Sequence, residues 1–330
     1  MKVCVAGLGA VGGLLAARLA HAGHAVSALA RGATLAAVRA RGLVWVTAQG
    51  ERRTVAMHVA EHASELEPPE LLIVALKGQA LARDAARLAP LVGPRTLVLP
   101  TMNGVPWWFL RTADAGAPRL ASVDPDGAIE TTIPLAQALG AVVHLTCTAV
   151  APGEVRHGFG ERLIVGEPAG GTSERAQRIA DALASAGFQI ECSTDIRRDI
   201  WFKLWGNMTT NPVSALTGAA CDAILDDELV RAFMARGMAE AAAIGARIGC
   251  PIEQTPEARM AVTRQLGRFK TSMLVDAEAG RALELDALVG AVREIGARVG
   301  VATPNIDALH GLTRLMAATR GLGAGSASAA

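Results

Sequence analysis

A glycine-rich stretch close to the N-terminus is the feature that most restricts how this chain folds. The residues GLGAVGG, from Gly7 to Gly13, directly follow a short apolar stretch at residues 2–6 that is typical of a buried strand. Apolar residues at helical spacing continue to Ala22, and a second strand pattern covers residues 24–29. A GxGxxG pattern between a strand and a helix predicts a βαβ unit that binds a dinucleotide.

Each glycine of this pattern has a predicted role. Gly7 allows a tight turn, Gly9 lets backbone amides approach a pyrophosphate, and Gly12 lets the helix pack close to the strand. The helix N-terminus adds partial positive charge for the phosphates. The alternative is a glycine-rich turn without a ligand. The cofactor-binding residues that we expect in this turn are Gly7, Leu8, Gly9, Ala10, Val11 and Gly12.

The end of the second strand predicts which dinucleotide binds. An acidic residue there would accept a hydrogen bond from the ribose 2′-hydroxyl of NAD, whereas an arginine binds the 2′-phosphate of NADP. Here Ala30 is followed by Arg31, and no Asp or Glu precedes Glu51. We therefore interpret Arg31 as a ligand of the 2′-phosphate, with a solvated loop arginine as the alternative.

Two more polar residues follow strand patterns of this half of the chain. Lys77 follows the buried-strand pattern at residues 70–76, and Asn103 follows the one at residues 96–100. Ligands bind outside the carboxyl ends of the strands in open α/β sheets. Because Lys77 and Asn103 both leave such an end, we expect each of them to contact a ligand.

The remaining patterns predict a fold with two domains. Strand patterns cover residues 43–48 and 52–59. Alternating residues with glycine turns from 139 to 167 predict antiparallel strands that either extend the sheet or form a flap. A helix at 172–186 and a strand at 188–193 precede a wholly helical region. We predict an α/β Rossmann-type NADP-binding domain with added antiparallel strands at residues 1–194, followed by an all-α substrate-binding and catalytic domain at residues 195–330. A length of 330 residues agrees with two domains.

The helical region opens with DIRRDIWFKLWGNMTTN, at residues 195–211. Read as a helix, this stretch places Lys203, Asn207 and Asn211 on one face, at i, i+4 and i+8. A lysine among core-type side chains is costly unless a partner offsets its burial. The alternative is a lysine that extends its ammonium to water beside two asparagines that bond locally. The neighbours that we expect in the core are Trp201, Phe202, Leu204, Trp205 and Met208.

Charge and cysteine content exclude several other classes of protein. The net charge is +1, and no long run of like charges favours binding to nucleic acid or to a membrane surface. No stretch approaches the length of an apolar spanning helix. The five cysteines are scattered without a CxxC pair, which indicates free thiols in a reducing, cytoplasmic compartment and no metal site.

A second chemical candidate lies at residues 269–290, FKTSMLVDAEAGRALELDALVG. On a helix, Glu284 and Asp286 would point about 200° apart, so only one of them would face a given site. Spacing alone does not choose between these two carboxylates.

The chain resembles the ketopantoate reductases (2-dehydropantoate 2-reductases) over essentially its full length. The stretches that carry the resemblance are GLGAVG near the N-terminus, LKGQ at Leu76, MNG at Met102, WFKLWGNMTTNPVSAL at Trp201, SMLVDAEAGRALELDALVG at Ser272 and GVATPN at Gly300. The resemblance implies that NADPH reduces the carbonyl of a small 2-oxo acid, in a cleft between a Rossmann domain and a helical domain. A homodimer is the oligomeric state that we predict as an option for this chain.

The resemblance also implies roles for individual residues. It makes Lys203 the proton donor to the carbonyl oxygen and Glu284 the partner of a distal substrate hydroxyl. It places Asn207, Asn211 and Ser272 against the substrate, and it places Lys77 and Asn103 against cofactor and substrate. A cationic proton donor beside a developing alkoxide is what hydride transfer to a ketone requires.

Two departures from the family pattern bear on the substrate. The family usually shows NGxG, whereas Pro106, Trp107 and Trp108 follow here, and Cys221 occupies a position that is sometimes asparagine. We expect both departures near the substrate, where bulky rings would reshape the pocket. The alternatives are thus a reductase of a different 2-oxo acid and a non-catalytic NADPH-binding regulator. The regulator would be expected to lose Lys203 or Glu284, and both are present.

Overall fold

The computed structural model describes residues 1–112 and 116–323, and it divides into two compact units. The first, which we call the N-terminal unit, comprises Met1–Met102, Arg111–Ala117 and Asp126–Asp199. The second, which we call the helical unit, comprises Asn103–Leu110, Pro118–Pro125 and Ile200–Ala330. The final residues of the predicted second domain, 324–330, lie outside the described residues.

The N-terminal unit alternates strands and helices along the chain. Its strands are β1 (Lys2–Ala6), β2 (Ala25–Leu29), β3 (Leu43–Val46), β4 (Arg52–Val55), β5 (His58–Ala60), β6 (Leu71–Val74), β7 (Leu97–Pro100), β8 (Gly140–His144), β9 (Cys147–Ala151), β10 (Glu154–His157), β11 (Arg162–Gly166) and β12 (Gln189–Ser193). Its helices are α1 (Ala10–His21), α2 (Gly32–Arg41), α3 (Gly78–Asp84), α4 (Ala128–Thr132) and α5 (Glu174–Ser185).

These strands form three sheets. Five strands make an all-parallel sheet in the order β5-β2-β1-β6-β7, as a Rossmann fold requires. The antiparallel pairs predicted after residue 139 are present as β9–β10 and β8–β11. They do not extend the parallel sheet. Instead, β10 also pairs with β3 and β11 also pairs with β12, so that two smaller sheets of order β4-β3-β10-β9 and β12-β11-β8 result.

The prediction of one strand over residues 52–59 is wrong. The strand is interrupted at Ala56 and Met57, and the segments on either side belong to different sheets. β4 pairs antiparallel with β3, whereas β5 lies parallel beside β2 at the edge of the main sheet. A run of strand-forming residues sets the local extended conformation but not the neighbouring strand with which each half pairs.

Helix α1 packs the core of the N-terminal unit. Leu14, Leu15 and Leu19 are almost fully buried along it. A Cβ atom added at Gly13 would lie 2.6 Å from Cγ1 of Val155, so the glycine lets β10 pack directly on α1. The added antiparallel strands therefore cover the helix that follows the glycine turn.

The helical unit is built around the predicted lysine helix. This helix, α6 (Ile196–Thr217), is continuous through Pro212. It is followed by α7 (Cys221–Asp226), α8 (Glu228–Arg247), α9 (Pro256–Gln265), α10 (Ser272–Glu278), a π-helical turn (Asp286–Gly290), α11 (Ala291–Arg298) and α12 (Pro304–Thr319). Within the described ranges, no helix combines the length and apolar character that crossing a membrane demands.

Two tryptophans fix α6 against α8. Trp201 Nε1 donates a hydrogen bond to the carbonyl oxygen of Ala241 (3.3 Å), and Trp205 Nε1 donates to that of Met238 (2.7 Å). Both rings are 1% exposed. Burial of a ring with its one donor satisfied stabilises the helix in a single rotational setting. The opposite face, which carries Lys203, is thereby fixed as well.

Candidate active site

The glycine turn of the N-terminal unit has the geometry that its sequence requires. Gly7 has φ of +100°, a conformation that residues with a side chain rarely adopt. A Cβ atom at Gly12 would lie 2.0 Å from the carbonyl oxygen of Gly7 and 2.7 Å from Cβ of Ala75. Only glycine therefore lets α1 approach β1 and β6 this closely.

The start of α1 offers backbone donors to an anion. Gly9 precedes the helix, and neither a side-chain cap nor an acidic residue of the first turn satisfies its N–H groups. A Cβ atom added at Gly9 would meet nothing within 4 Å. Open space in front of an uncapped helix N-terminus is the arrangement that a dinucleotide pyrophosphate needs, so the residues present fit this cofactor.

Arg31 lies in a cluster of arginines that the sequence pattern did not reveal. Its Nη2 atom is 3.3 Å from Oδ2 of Asp84, a largely buried carboxylate at the end of α3. Arg83 donates to the same oxygen at 2.9 Å, and Arg87 lies 3.6 Å from the other oxygen. The hydrogen bond from Arg83 holds the pKa of Asp84 below its ordinary value.

This cluster places an acidic residue, Asp84, beside the arginine that we expect to bind the cofactor. The first fifty residues contain no acid, but Asp84 is brought to Arg31 from fifty-three residues further along the chain. Because three guanidinium groups surround this carboxylate, it is not available as a free acceptor for a ribose hydroxyl. Arg31 remains half exposed and is oriented by Asp84.

Lys77 directly precedes α3 and lies beside the glycine turn. The two residues before Lys77, Ala75 and Leu76, lie against Gly7. A Cβ atom added at Gly7 would be 2.9 Å from Cδ2 of Leu76 and 3.1 Å from the carbonyl oxygen of Ala75. The expected position at the carboxyl end of a strand is therefore present in the fold, next to the expected phosphate-binding turn.

In the helical unit, Lys203 and Asn103 meet directly. The Lys203 ammonium donates a hydrogen bond to Oδ1 of Asn103 at 2.9 Å. The loop of Asn103 is held against the π-helical turn, because Val105 N donates to the carbonyl oxygen of Ala287 at 3.0 Å. Gly104 permits this approach, since it has φ of +91° and a Cβ atom there would lie 2.5 Å from the same oxygen.

The protonation of Lys203 is tuned by its surroundings. Burial lowers the pKa of Lys203 from 10.5 to about 8, the Glu284 carboxylate acts in the opposite direction, and the Arg259 guanidinium lowers it further. A lysine with a pKa near neutral pH is matched to proton transfer. The alternative of a lysine that extends its ammonium to water therefore does not hold for Lys203.

The two asparagines of the lysine helix make no hydrogen bond through their side chains to any part of the chain that the structure describes. Asn207 is partly exposed and Asn211 is 6% exposed. The alternative in which the two asparagines bond locally is therefore wrong, and their amides remain available to a ligand. The predicted core position of Phe202 is also wrong, because its ring is 38% exposed.

The carboxylates near residue 284 are arranged differently from the helical picture. Glu284 lies in a segment without regular secondary structure ahead of the π-helical turn, so Glu284 and Asp286 are not on opposed faces of one helix. Glu284 is partly buried and acts on Lys203, whereas Asp286 is exposed. Ser272, the first residue of α10, is exposed, and Thr271 caps that helix.

The family departures do not line an open pocket. Trp107 and Trp108 are 1% and 0% exposed, and Phe109 beside them stacks on Trp201 at 5.9 Å between ring centres. Cys221 is fully buried, and burial raises the pKa of its thiol to about 12. These residues belong to the core of the helical unit, and an effect of them on the shape of the substrate site stays a prediction.

Sequence reasoning missed Arg259 as well as Asp84. The Thr255–Pro256 pair is a recognisable helix start, and Thr255 does cap α9. No local pattern, however, indicates that Arg259 reaches the lysine helix. Among the described residues, no group of three or more His, Cys, Asp or Glu side chains is placed to hold a metal ion.

Comparison with known proteins identifies related sequences for both halves of the chain. The family described as ketopantoate reductase PanE/ApbA matches residues 3–170, and its C-terminal counterpart, ketopantoate reductase PanE/ApbA C terminal, matches residues 195–317. Together these matches cover more than half of the chain.

Individual relatives match along their whole length. A 2-dehydropantoate 2-reductase from Mesorhizobium japonicum is 43% identical over 326 residues, which cover 97% of this chain and 99% of the relative. A solved structure assigned to the ketopantoate reductases, from Ralstonia solanacearum, is 58% identical with a TM-score of 0.94, covering 97% and 99%. The structure of 2-dehydropantoate 2-reductase from Methylococcus capsulatus is 28% identical with a TM-score of 0.82, covering 97% and 98%.

Proposed function

This chain belongs to the ketopantoate reductase family, and on that premise we propose that it uses NADPH to reduce 2-dehydropantoate to pantoate. In this reaction a hydride adds to the carbonyl carbon of the 2-oxo acid, and a proton adds to the carbonyl oxygen. The chain supplies the proton, and NADP⁺ and a 2-hydroxy acid are formed. It is therefore an oxidoreductase.

The observation that carries this proposal is the state of Lys203. Its ammonium is held by Asn103 and has a pKa of about 8, so it is mostly protonated at pH 7 and can still release its proton. The positive charge also stabilises negative charge on the carbonyl oxygen as the hydride arrives. Lys203 is the proposed proton donor, and solvent restores its proton after each turnover.

The N-terminal unit supplies the proposed cofactor site. Bound NADPH supplies the hydride that the reaction consumes. The turn from Gly7 to Gly12 binds the pyrophosphate through backbone amides, and Arg31 pairs with the 2′-phosphate. Asp84 keeps the Arg31 guanidinium in place, and Lys77 adds positive charge next to the glycine turn.

The helical unit supplies the proposed substrate site. Asn103 orients the Lys203 ammonium through their hydrogen bond. The amides of Asn207 and Asn211 bind polar atoms of the 2-oxo acid, because both are otherwise unused in the described structure. The proposed roles of Glu284 and Ser272 are to accept a hydrogen bond from the distal hydroxyl and to hold the substrate beside α10.

The test is a reductase assay across a panel of 2-oxo acids, in which the decrease in NADPH absorbance measures the rate. We expect 2-dehydropantoate to have the highest kcat/KM, with NADPH favoured over NADH. A branched 2-oxo acid without the hydroxyl is the matched control for the contact with Glu284. A faster reaction with that control would overturn the assignment of the substrate, and NADPH loss with none of the acids would overturn the reductase itself.

Location and assembly are parts of the same proposal. All five cysteines are free thiols, including the exposed Cys192, which agrees with a reducing compartment such as the cytoplasm. A homodimer stays a prediction, which equilibrium sedimentation of the purified protein would test.

A further inference from the structure

Arg259 of α9 packs against the lysine helix at the residue that makes close packing possible. A Cβ atom added at Gly206 would lie 3.1 Å from Nε of Arg259, 3.5 Å from Nη2 and 3.7 Å from Cζ. Gly206 is three residues after Lys203, so the two positions are neighbours on the helix surface. The missing side chain thus lets the guanidinium rest on the backbone beside the proposed proton donor.

Among the described residues, this guanidinium has no anionic partner. The side chain of Arg259 takes part in no ion pair and no hydrogen bond in residues 1–112 and 116–323, and its Nε atom is buried without an acceptor. Other arginines of the helical unit do have such partners, including Arg264 on the same helix, which pairs with Asp226. Because Nε and Nη2 lie nearest to Gly206, Nη1 and the outer N–H of Nη2 are the donors that are left for a ligand.

The stacking contact of Arg259 does not explain its placement. Cζ lies 4.9 Å from the centre of the Phe202 ring, a cation–π contact. Such contacts at partly exposed rings are weak, whereas a buried donor that loses its hydrogen bond to water is comparatively costly. A ligand that accepts hydrogen bonds from the guanidinium offsets this cost.

The charges around Lys203 also favour an anionic ligand. The charged groups that act on it are Glu284 and Arg259, so this part of the helical unit holds two cations and one carboxylate. Burial lowers the pKa of Arg259 below its ordinary value, but a guanidinium stays charged at neutral pH. The local charge is therefore positive before substrate binds.

We infer that Arg259 binds the carboxylate of the 2-oxo acid through its Nη edge and selects acids over neutral carbonyl compounds. The planar fork of a guanidinium matches the two oxygens of a carboxylate. A carboxylate held beside Gly206 lies one helical turn from the Lys203 ammonium, which places the adjacent carbonyl near the proton donor. This inference rests on the proposed reductase function and adds a specificity-determining residue to it.

The experiment measures the dissociation constants of pantoate and of its neutral amide by titration calorimetry, with saturating NADP⁺. For Arg259→Leu we expect the dissociation constant of pantoate to rise about ten- to hundredfold, as for the loss of a charge-assisted hydrogen bond. The dissociation constant of the amide should stay within about twofold, because the amide carries no charge for Arg259 to recognise.

Two further variants sharpen this test. Arg259→Lys keeps the charge without the fork and should fall between the parent and the leucine variant. Gly206→Ala places a Cβ atom 3.1 Å from Nε and should weaken pantoate binding in the same direction by displacing the guanidinium. Arg264→Leu, on the same helix, removes an ion pair with Asp226 and is the matched control that should leave both constants unchanged.

The outcomes separate the inference from the reductase proposal. Equal weakening of pantoate and amide would show that Arg259 only supports the fold, and weaker NADPH binding with intact pantoate binding would place it at the cofactor. Either result overturns the inference, as does unchanged binding of pantoate. A protein that binds pantoate through Arg259 but reduces no 2-oxo acid would instead keep the inference and overturn the reductase.

Discussion

The pH dependence of the reduction follows from the surroundings of Lys203. With a pKa of about 8, this lysine is about 90% protonated at pH 7 and about 10% protonated at pH 9. If Lys203 donates the proton, kcat/KM for reduction should fall about tenfold between these two values. A lysine with the ordinary pKa of 10.5 would leave the rate almost flat over the same range.

The sign of the effect on stability is opposite, which separates catalysis from unfolding. The pKa of Lys203 is lower in the folded protein than in the unfolded chain, so the unfolded chain binds more protons between about pH 8 and pH 10.5. The contribution of this group to the free energy of unfolding therefore rises with pH across that window. Loss of activity at pH 9 cannot come from destabilisation by Lys203.

The assay is a pH series of initial rates at limiting substrate and saturating NADPH, with circular dichroism at each pH. Glu284→Gln should move the alkaline limb to lower pH, because Glu284 favours the charged lysine, whereas Arg259→Leu should move it to higher pH. Lys203→Ala should lower turnover about 10²–10⁴-fold, and the pH profile of this variant should show no decrease in kcat/KM near pH 8. A parent profile that stays flat to pH 9.5 would refute this reasoning.

Three other predictions concern the cofactor, the carboxylates and the turn after β7. Arg31→Ala should weaken NADPH binding about ten- to hundredfold with little change for NADH, measured as the two KM values, and equal use of both cofactors by the parent would contradict this role. Glu284→Gln should lower kcat/KM for 2-dehydropantoate far more than Asp286→Asn does, since Asp286 is exposed, and equal losses would remove the assigned contact. Gly104→Ala should lower the free energy of unfolding in urea by about 1–3 kcal/mol. The loss should exceed that for Gly50→Ala, because Gly50 also has a positive φ (+89°) but has open space around its Cβ position. Equal losses would show that backbone strain alone, and not the contact with Ala287, accounts for the effect.

Much of the fold could be predicted because the deciding information is local. The glycine turn works through φ at Gly7 and through the absence of a side chain at Gly12, and these two residues belong to one short stretch of the chain. The lysine helix was predictable because a period of 3.6 residues places Lys203, Asn207 and Asn211 on one face. Strand pairing was less predictable, as the division of residues 52–59 between two sheets shows.

The candidate site could be predicted in part, and the choice of Glu284 and Ser272 depended on the family resemblance. Hydrophobic pattern and spacing lead to Lys203, but they do not choose Glu284 over Asp286. The structure separates these two carboxylates by burial and not by helical phase, since Glu284 precedes the π-helical turn. The complete burial of Trp107 and Trp108 was likewise not evident from the motif beside them, because it depends on the packing of the helical unit.

The sequence by itself therefore determined the class of fold, the glycine turn and the lysine face, because each depends on patterns within short stretches of the chain. Only the tertiary structure decided that Asp84 orients Arg31 and that Arg259 rests on Gly206. The physical reason is that an ion pair or a packing contact depends on distance in space. A side chain on its own specifies its charge and its reach, but the fold of the remaining chain decides which partner comes within that reach.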